Sequence, residues 1–406
     1  MVTWQEARRL ICETVQSRSK PTETESVGLE DALGRVLAEE ILADRPYPPF
    51  NRSTRDGYAL CSADLAREDG GQDLRLAGEV RAGQSFDRAL RPGECVAIMT
   101  GAPVPEGADA VVMREYAQVN GSSIVIGRSA ALGENIVRRG GEAREGQLLL
   151  LPGARLGYAE LALAAQVGKT PLSVHSLPRL AILSTGDEVV AHYETPALFQ
   201  IRNSNSLSLA YLATLAGAGP VALGNVSDDH AILRKAMERG LAEDVLVLSG
   251  GVSMGKYDLV EEVLAELGAE FFFDAVAIRP GRPAVFGYCQ GKPVFGLPGN
   301  PLSTMVTFEL LVTPALDILN GAAPRPLALL GAKMAAATEH NPALAHFLPA
   351  KLSWDNDEPM VKEIPWHGSG DIVALTLANC FLYVPQGQPR LAAGEWVKVL
   401  PRRGAI

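Results

Sequence analysis

Short apolar runs punctuated by glycine and proline dominate the chain, and their spacing changes character along its length. Behind Thr3 as a cap, Trp4, Ala7, Leu10, Ile11 and Val15 recur at helical spacing and predict an N-terminal helix. A short helical patch over 29–33 stops at Gly34, and 36–41 continues as strand or helix. The proline-rich turn at 46–50 ends this opening segment. Between 47 and 145 the apolar runs are strand-sized, at 57–60, 74–76, 96–99, 110–113 and 124–126, with glycine, proline and asparagine between them. That pattern predicts an inserted β-rich domain. An apolar stretch at 147–151 and an alanine-rich helix over 158–167 then resume the scaffold.

From residue 179 strands and helices alternate strictly: strand 180–183, helix 207–215, strand 221–226, helix 229–239, strand 245–248, helix 259–267. Such alternation predicts βαβ units and a doubly wound sheet. A strand at 293–297 runs into an apolar helix through Phe308 and Leu311. Past a linker at 324–326, β signals return at 347–352, 373–375, 380–384 and 396–400. The expected domains are a discontinuous scaffold (1–46 and 146–178), the β-rich insertion (47–145), the doubly wound domain (179–323) and a C-terminal β domain (324–406).

Composition narrows the function classes. With 406 residues, 47% hydrophobic and 21% charged, the chain is an ordinary multidomain globular protein. A net charge of −10 argues against wholesale nucleic-acid binding but leaves room for a local basic pocket. The N-terminus MVTWQEARRL lacks a signal peptide's apolar core and no run of 18 apolar residues occurs, so a cytoplasmic protein without membrane association is expected. Five isolated cysteines without a CxxC and six histidines without HExxH or HxH leave a catalytic metal to carboxylates, which suits Mg²⁺.

The candidate chemistry sits in loops at strand ends. The buried strand 245–248 stops at Ser249-Gly250-Gly251, with Ser253 close by and Asp258 opening the next helical pattern. Glycines there let a ligand approach the backbone, at the carboxyl end of a parallel strand where open α/β sheets bind ligands. Strand 180–183 ends in Ser184-Thr185-Gly186-Asp187-Glu188. With a strand order 2-1-3 the two loops line one crevice at the topological switch point. In Pro298-Gly299-Asn300-Pro301, Asn300 as N-cap and Pro301 at the first helical position leave bare N–H groups for an anion. Arg279 and Arg282 put two guanidinium groups on a rigid turn suited to oxyanions. Further polar loops occur at 52–57, 100–103 and 367–371, the last carrying Ser369.

Taken together, PPFNRSTRDGYAL, MTGAPVPEGADAVV, TGDEV, IRNSNS, SGGVSMGKYD, RPGRP, GLPGNP, GSGD and the closing VPQG with AAGEWVKV resemble, in order and over residues 2–400, the MoeA-type molybdopterin molybdenumtransferases, the family that includes the gephyrin E domain. The resemblance implies a multidomain α/β plus β fold: an elongated scaffold domain, a β-rich inserted domain, a doubly wound MogA-like α/β domain that binds molybdopterin, and a C-terminal β-barrel, in a homodimer. The implied reaction takes adenylylated molybdopterin and molybdate, with Mg²⁺, to molybdenum cofactor and AMP, at a site between the doubly wound domain of one subunit and the β-rich domain of the other. The molybdopterin adenylyltransferase and recipient molybdoenzymes are the implied partners.

Residue by residue, Asp56, Glu188, Asp228 and Asp258 match acidic positions of the family, with Glu188 and Asp258 as metal ligands, and Thr100 matches a threonine of the β-rich domain. Thr185, Gly186, Asp187, Ser249, Gly250, Gly251, Ser253, Arg279, Arg282, Pro298, Gly299, Asn300, Pro301 and Ser369 are the expected substrate contacts. Three departures stand out. Ala143 replaces a usual aspartate, Arg279 and Arg282 replace lysines common in the family, and the arginine ahead of the C-terminal domain's first strand is missing from Ala345-His346-Phe347. Alternatives are a weakened paralogue that binds, stores or delivers molybdopterin, a gephyrin-like interaction scaffold, and the adenylyltransferase step, whose enzyme is a single α/β domain.

Overall fold

The computed structural model describes residues 1–65, 72–251 and 259–405. The chain divides into two compact units, Met1–Ala38 with Pro152–Gly157 and Pro171–Ile406, and Glu39–Leu151 with Tyr158–Thr170.

The first unit is built on a six-stranded sheet in the order Gly219–Val226, Arg179–Thr185, Val245–Ser249, Lys292–Leu297, Val285–Cys289, Glu270–Phe273. The first four strands are parallel and the last two are added antiparallel. The expected 2-1-3 order is therefore present. Val245–Ser249 is buried at every position because successive side chains point to opposite faces and both faces are covered. Val245 and Val247 pack with Leu180 and Ile182 against Ala7, Ile11 and Val15 of the Trp4–Arg18 helix, Leu209 and Ala213, and the helix that follows Pro301. Leu246 and Leu248 pack with Ala181 and Leu183 against Leu233, Met237, Val260 and Val263 on the other side. Thr3 caps the first helix as expected, accepting from the Glu6 amide at 3.2 Å.

The segment Pro301–Leu319 is long and apolar enough to cross a membrane, but it is buried inside the unit as a core helix. A π-helical turn at Phe308–Val312 interrupts it. Arg8 donates to the Leu310 carbonyl there at 2.6 Å, satisfying a backbone acceptor inside the core.

The same unit ends in a closed five-stranded barrel. Ala345–Asp355, Glu358–Glu363, Leu330–Met334, Trp396–Pro401 and Cys380–Val384 pair in turn, and Cys380–Val384 closes back onto Ala345–Asp355. The run at 373–375, expected as β, is instead part of the helix Ile372–Leu377. The Asp371 carboxylate accepts from the Ala374 amide at 3.0 Å, and this cap outweighs the local β preference of Ile372 and Val373.

The second unit holds a six-stranded sheet in the order Ala110–Met113, Gly57–Leu60, Glu94–Ile98, Gln72–Val80, Ser123–Ile126, Ala117–Asn120. Its two faces bury Tyr58, Leu60, Cys95 and Val112 on one side, and Ala59, Val96, Ile98 and Val111 on the other. All five cysteines are free, with Cys95, Cys289 and Cys380 buried.

Candidate functional site

A cavity of about 390 Å³ opens at the carboxyl ends of the parallel strands in the first unit. Its walls are Ser184, Thr185, Gly186 and Glu188 after the first strand, Ser249, Gly250 and Gly251 after the third, Asp228 after the second, and Pro298, Gly299, Asn300 and Pro301. The expected loops thus converge. Gly250 sits at φ +94°, and a Cβ there would lie 2.8 Å from the Thr185 carbonyl, so the two loops touch only because this residue has no side chain.

Two asparagines that sequence reasoning passed over hold the cavity together. Asn205 donates through Nδ2 to Ser249 Oγ at 2.9 Å and to the Gly299 carbonyl at 2.8 Å, joining two binding loops. Asn225 donates to the carbonyls of Gly186 at 3.1 Å and Val189 at 2.9 Å, strapping the turn that carries Glu188. Ser184 Oγ meets Ser206 Oγ at 2.7 Å, tying the same strand end to the Asn205–Ala216 helix. An asparagine at a helix start reads in sequence as a cap, and nothing local distinguishes it from a group that bridges distant loops. Among the described residues Thr185 Oγ1 and Asn205 Oδ1 are buried without a hydrogen-bond partner, which a polar ligand would supply.

The cavity is also acidic. Burial first, and then the charges of Asp187 and Glu188, push the Asp228 carboxyl above the ordinary aspartate range. The Asp228 amide donates to Asp187 Oδ1 at 3.2 Å. Among the described residues no three aspartate, glutamate, histidine or cysteine side chains converge to hold a metal on their own.

Other expected contacts lie elsewhere. Asp56 and Thr100 belong to the second unit and meet there, the Thr100 amide donating to Asp56 Oδ1 at 2.6 Å. That bond, with the Thr100 hydroxyl, holds the Asp56 carboxyl below the usual range. Arg279 and Arg282 are exposed and outside the cavity wall, to which only Pro283 of their turn contributes. The Arg279 guanidinium lies 5.7 Å over the Trp366 ring. Ser369 acts through its carbonyl, which accepts from the Leu302 amide at 3.0 Å. Asn300 lines the cavity but its side chain makes no capping bond, contrary to expectation; its carbonyl accepts from Thr304 Oγ1 at 3.0 Å instead. Ser253 and Asp258 lie outside the described residues.

Three family descriptions match the chain: MoeA N-terminal region (domain I and II) over residues 2–168, probable molybdopterin binding domain over 181–318, and MoeA C-terminal region (domain IV) over 331–401. A Bacillus subtilis protein named molybdopterin molybdenumtransferase is 34% identical, over 97% of this chain and 93% of its own length. The chain belongs to the MoeA family. A Staphylococcus aureus member of the same name is 32% identical over 95% of this chain and 92% of its own. The crystal structure of a Pyrococcus horikoshii MoeA protein of molybdopterin biosynthesis superposes with a TM-score of 0.74 at 33% identity, covering 100% of both chains.

Ala143 is 7% exposed, and its backbone exchanges hydrogen bonds with Tyr47 at 2.8 and 3.1 Å.

Asn225→Ala is expected to release the Gly186 and Val189 carbonyls, cost about 1–3 kcal/mol of stability, and weaken ligand binding in the cavity. Thermal unfolding and equilibrium binding check both halves, and an unchanged affinity in a folded variant contradicts the strap.

Proposed function

We propose that the chain acts in molybdenum cofactor biosynthesis as a transferase, inserting molybdate into adenylylated molybdopterin with Mg²⁺ and releasing AMP and molybdenum cofactor. The observation that carries this reading is the strand-end cavity, in a chain whose named relatives are molybdopterin molybdenumtransferases. The unpartnered Thr185 Oγ1 and Asn205 Oδ1 offer hydrogen bonds to the heteroatoms of a pterin, and the glycine backbones let a phosphate approach.

The acid group in the wall suits Mg²⁺. Mg²⁺ is usually held by one or two carboxylates together with substrate phosphates and water, so a self-sufficient protein cage is not required. Glu188 and Asp228 are the described residues that would hold it; burial first, and then the charges of Asp187 and Glu188, raise the Asp228 carboxyl, and a cation would relieve the charge part of that shift. Bound there, Mg²⁺ would neutralise the phosphates of the substrate. The chain's own share is to orient the pterin through Asn205 and Thr185, to fix Glu188 through Asn225, and to offer oxyanion partners. Arg279, whose guanidinium lies over the Trp366 ring, and Arg282 stand outside the cavity wall, make no ion pair among the described residues, and are the cations offered here to molybdate oxygens. The test is AMP release from adenylylated molybdopterin that depends on both molybdate and Mg²⁺. No release with all three present argues against the reading. Ala143 favours a second reading, storage or delivery of the pterin, which tight binding without AMP release selects.

We further propose a homodimer. The Asn205–Ala216 helix is apolar on both sides: Leu209, Ala213 and Ala216 enter the core, while Leu207, Tyr211 and Leu215 stay 46%, 64% and 54% exposed one turn apart. A helix apolar all round is one covered on both faces. Tyr211→Glu is therefore expected to shift the sedimenting species to monomer with the fold retained, and an unchanged sedimentation coefficient contradicts this face.

A further inference from the structure

The strand-end cavity lies at the carboxyl ends of the first unit's parallel strands; a second cavity, of about 520 Å³, opens at their amino ends. Strand register builds one part of its wall. Leu180 pairs with Val245 and Leu246 with Val294, so Arg179, Asp244 and Lys292 stand side by side at three neighbouring strand starts. Asp244 is engaged on both oxygens: Oδ2 accepts from the Arg179 amide at 2.9 Å and Oδ1 from Lys292 Nζ at 3.4 Å. The turn after the Trp4–Arg18 helix supplies another part, with Arg18, Ser19, Lys20 and Thr22.

This wall is rich in hydrogen-bond donors that have no acceptor. Arg179 forks Glu243 through Nε and Nη2, Arg18 forks Glu270 through its two Nη groups, and neither glutamate lines the cavity. The two carboxylates thus orient the guanidiniums from outside the wall. They leave Arg179 Nη1 and Arg18 Nε without a hydrogen-bond partner among the described residues. The exposed Lys20 ammonium makes no hydrogen bond or ion pair among them either. Carbonyl oxygens that would repel an anion are covered, the Thr22 amide donating to Leu319 O at 2.9 Å and the Thr22 hydroxyl to Ser176 O at 2.6 Å. Glu23 is the wall's one carboxylate without a partner among the described residues. With Glu243 and Glu270 counted, acids and bases balance here, so the attraction for an anion rests on oriented donors rather than on net charge. Pro21, Leu177 and the buried Leu319 place apolar surface beside those donors.

We propose that this amino-end cavity binds a small organic phosphate monoester, the phosphate held by Lys20, Lys292 and the unpartnered donors of Arg18 and Arg179, and the carbon body lying against Pro21, Leu177 and Leu319. Donors from four side chains match the three terminal oxygens of a phosphate, whereas a carboxylate offers two oxygens and leaves donors unmatched. The volume falls in the range of small-molecule sites and exceeds what a bare oxyanion fills. The site is independent of the transfer reaction, since none of these residues lines the strand-end cavity.

The experiment is calorimetric binding of glycerol 3-phosphate to the full-length chain, with inorganic phosphate and malate as comparison anions. Glycerol 3-phosphate is expected to bind more tightly than either, and Lys20→Ala/Lys292→Ala to weaken it about 10-fold or more with the circular dichroism unchanged. Lys20→Ala alone touches no internal contact, so its share of that loss is free of any folding defect. Glu23→Gln removes a negative charge from the wall and is expected to tighten binding about 2- to 5-fold, a gain that a merely structural role for these residues does not produce. No binding of glycerol 3-phosphate by the wild type, or equal binding by the folded double variant, overturns the site. Inorganic phosphate or malate bound as tightly as the ester overturns the assignment to an organic phosphate.

Discussion

Glu188→Ala is expected to lower turnover by about 100-fold or more while leaving the chain folded, because it removes a carboxylate from the cavity wall and with it the proposed anchor for a cation on the substrate phosphates. The pH dependence gives an independent readout. Asp228 is held above the ordinary range by burial and by its acidic neighbours Asp187 and Glu188. Glu188→Gln removes one of those charges, so the Asp228 carboxyl moves down towards its ordinary value and the acid limb of the rate profile shifts to lower pH. The stability sign follows from the same shift. A raised carboxyl pKa means that the folded chain binds this proton more tightly than the unfolded chain, so this group's contribution is present at low pH and fades as pH rises through the ordinary aspartate range to the raised value. Added Mg²⁺ is expected to reverse that loss. A Glu188→Ala enzyme with wild-type turnover, or an acid limb unmoved in Glu188→Gln, contradicts the assignment.

The largest effect on stability is expected at Gly57. Gly57 pairs with Ile98 on one side and Met113 on the other, and a Cβ there would lie 1.9 Å from the Val112 carbonyl oxygen and 2.8 Å from its carbon. Both atoms are backbone, so no rotamer change relieves the contact, and the Gly57–Leu60 strand must leave its place between two neighbours. Gly57→Ala is expected to cost more than about 4 kcal/mol, in the range reserved for damaged cores. It also adjoins Asp56, so the Thr100–Asp56 hydrogen bond goes with it. Denaturant unfolding checks this: the variant's midpoint falls steeply or the second unit's sheet is lost, whereas a wild-type midpoint contradicts the packing.

What was legible in the sequence, and what was not, divides along the range of the forces involved. The runs at 57–60, 110–113 and 380–384 coincide with observed strands, since each is a short apolar segment with its bounds marked by neighbouring polar or turn residues. The alternation after residue 179 was equally clear, because a sheet covered on both faces leaves continuous apolar strands between amphipathic helices. The C-terminal barrel was expected from the family resemblance and is present, but the pairing of Cys380–Val384 with Ala345–Asp355 that closes it was not readable from the strand pattern, because pairing partners are set by long-range packing. Residues 373–375 looked like strand because Ile372 and Val373 are β-branched, and only the Asp371 cap decides for helix.

At the cavity the same division holds. Glycine-rich strand ends are local signals, so the loops at Thr185, Ser249 and Pro298 were found from the residues themselves. Asn205 and Asn225 act across 94 and up to 39 positions of sequence, and their roles exist only once the loops they bridge are in place. Asn300 is a divided case: it does occupy the N-cap with Pro301 at the start of the helix, as expected, but its side chain makes no capping bond.

The central claim is that the strand-end cavity serves molybdate transfer rather than storage. It is tested most directly by incubating the chain with adenylylated molybdopterin, Mg²⁺ and molybdate, then measuring AMP and the cofactor able to activate a cofactor-free molybdoenzyme in the same sample. AMP and active cofactor are expected in equal amounts, both absent without molybdate and both abolished by Glu188→Ala. Pterin retained on the protein with neither AMP nor active cofactor formed would contradict the account.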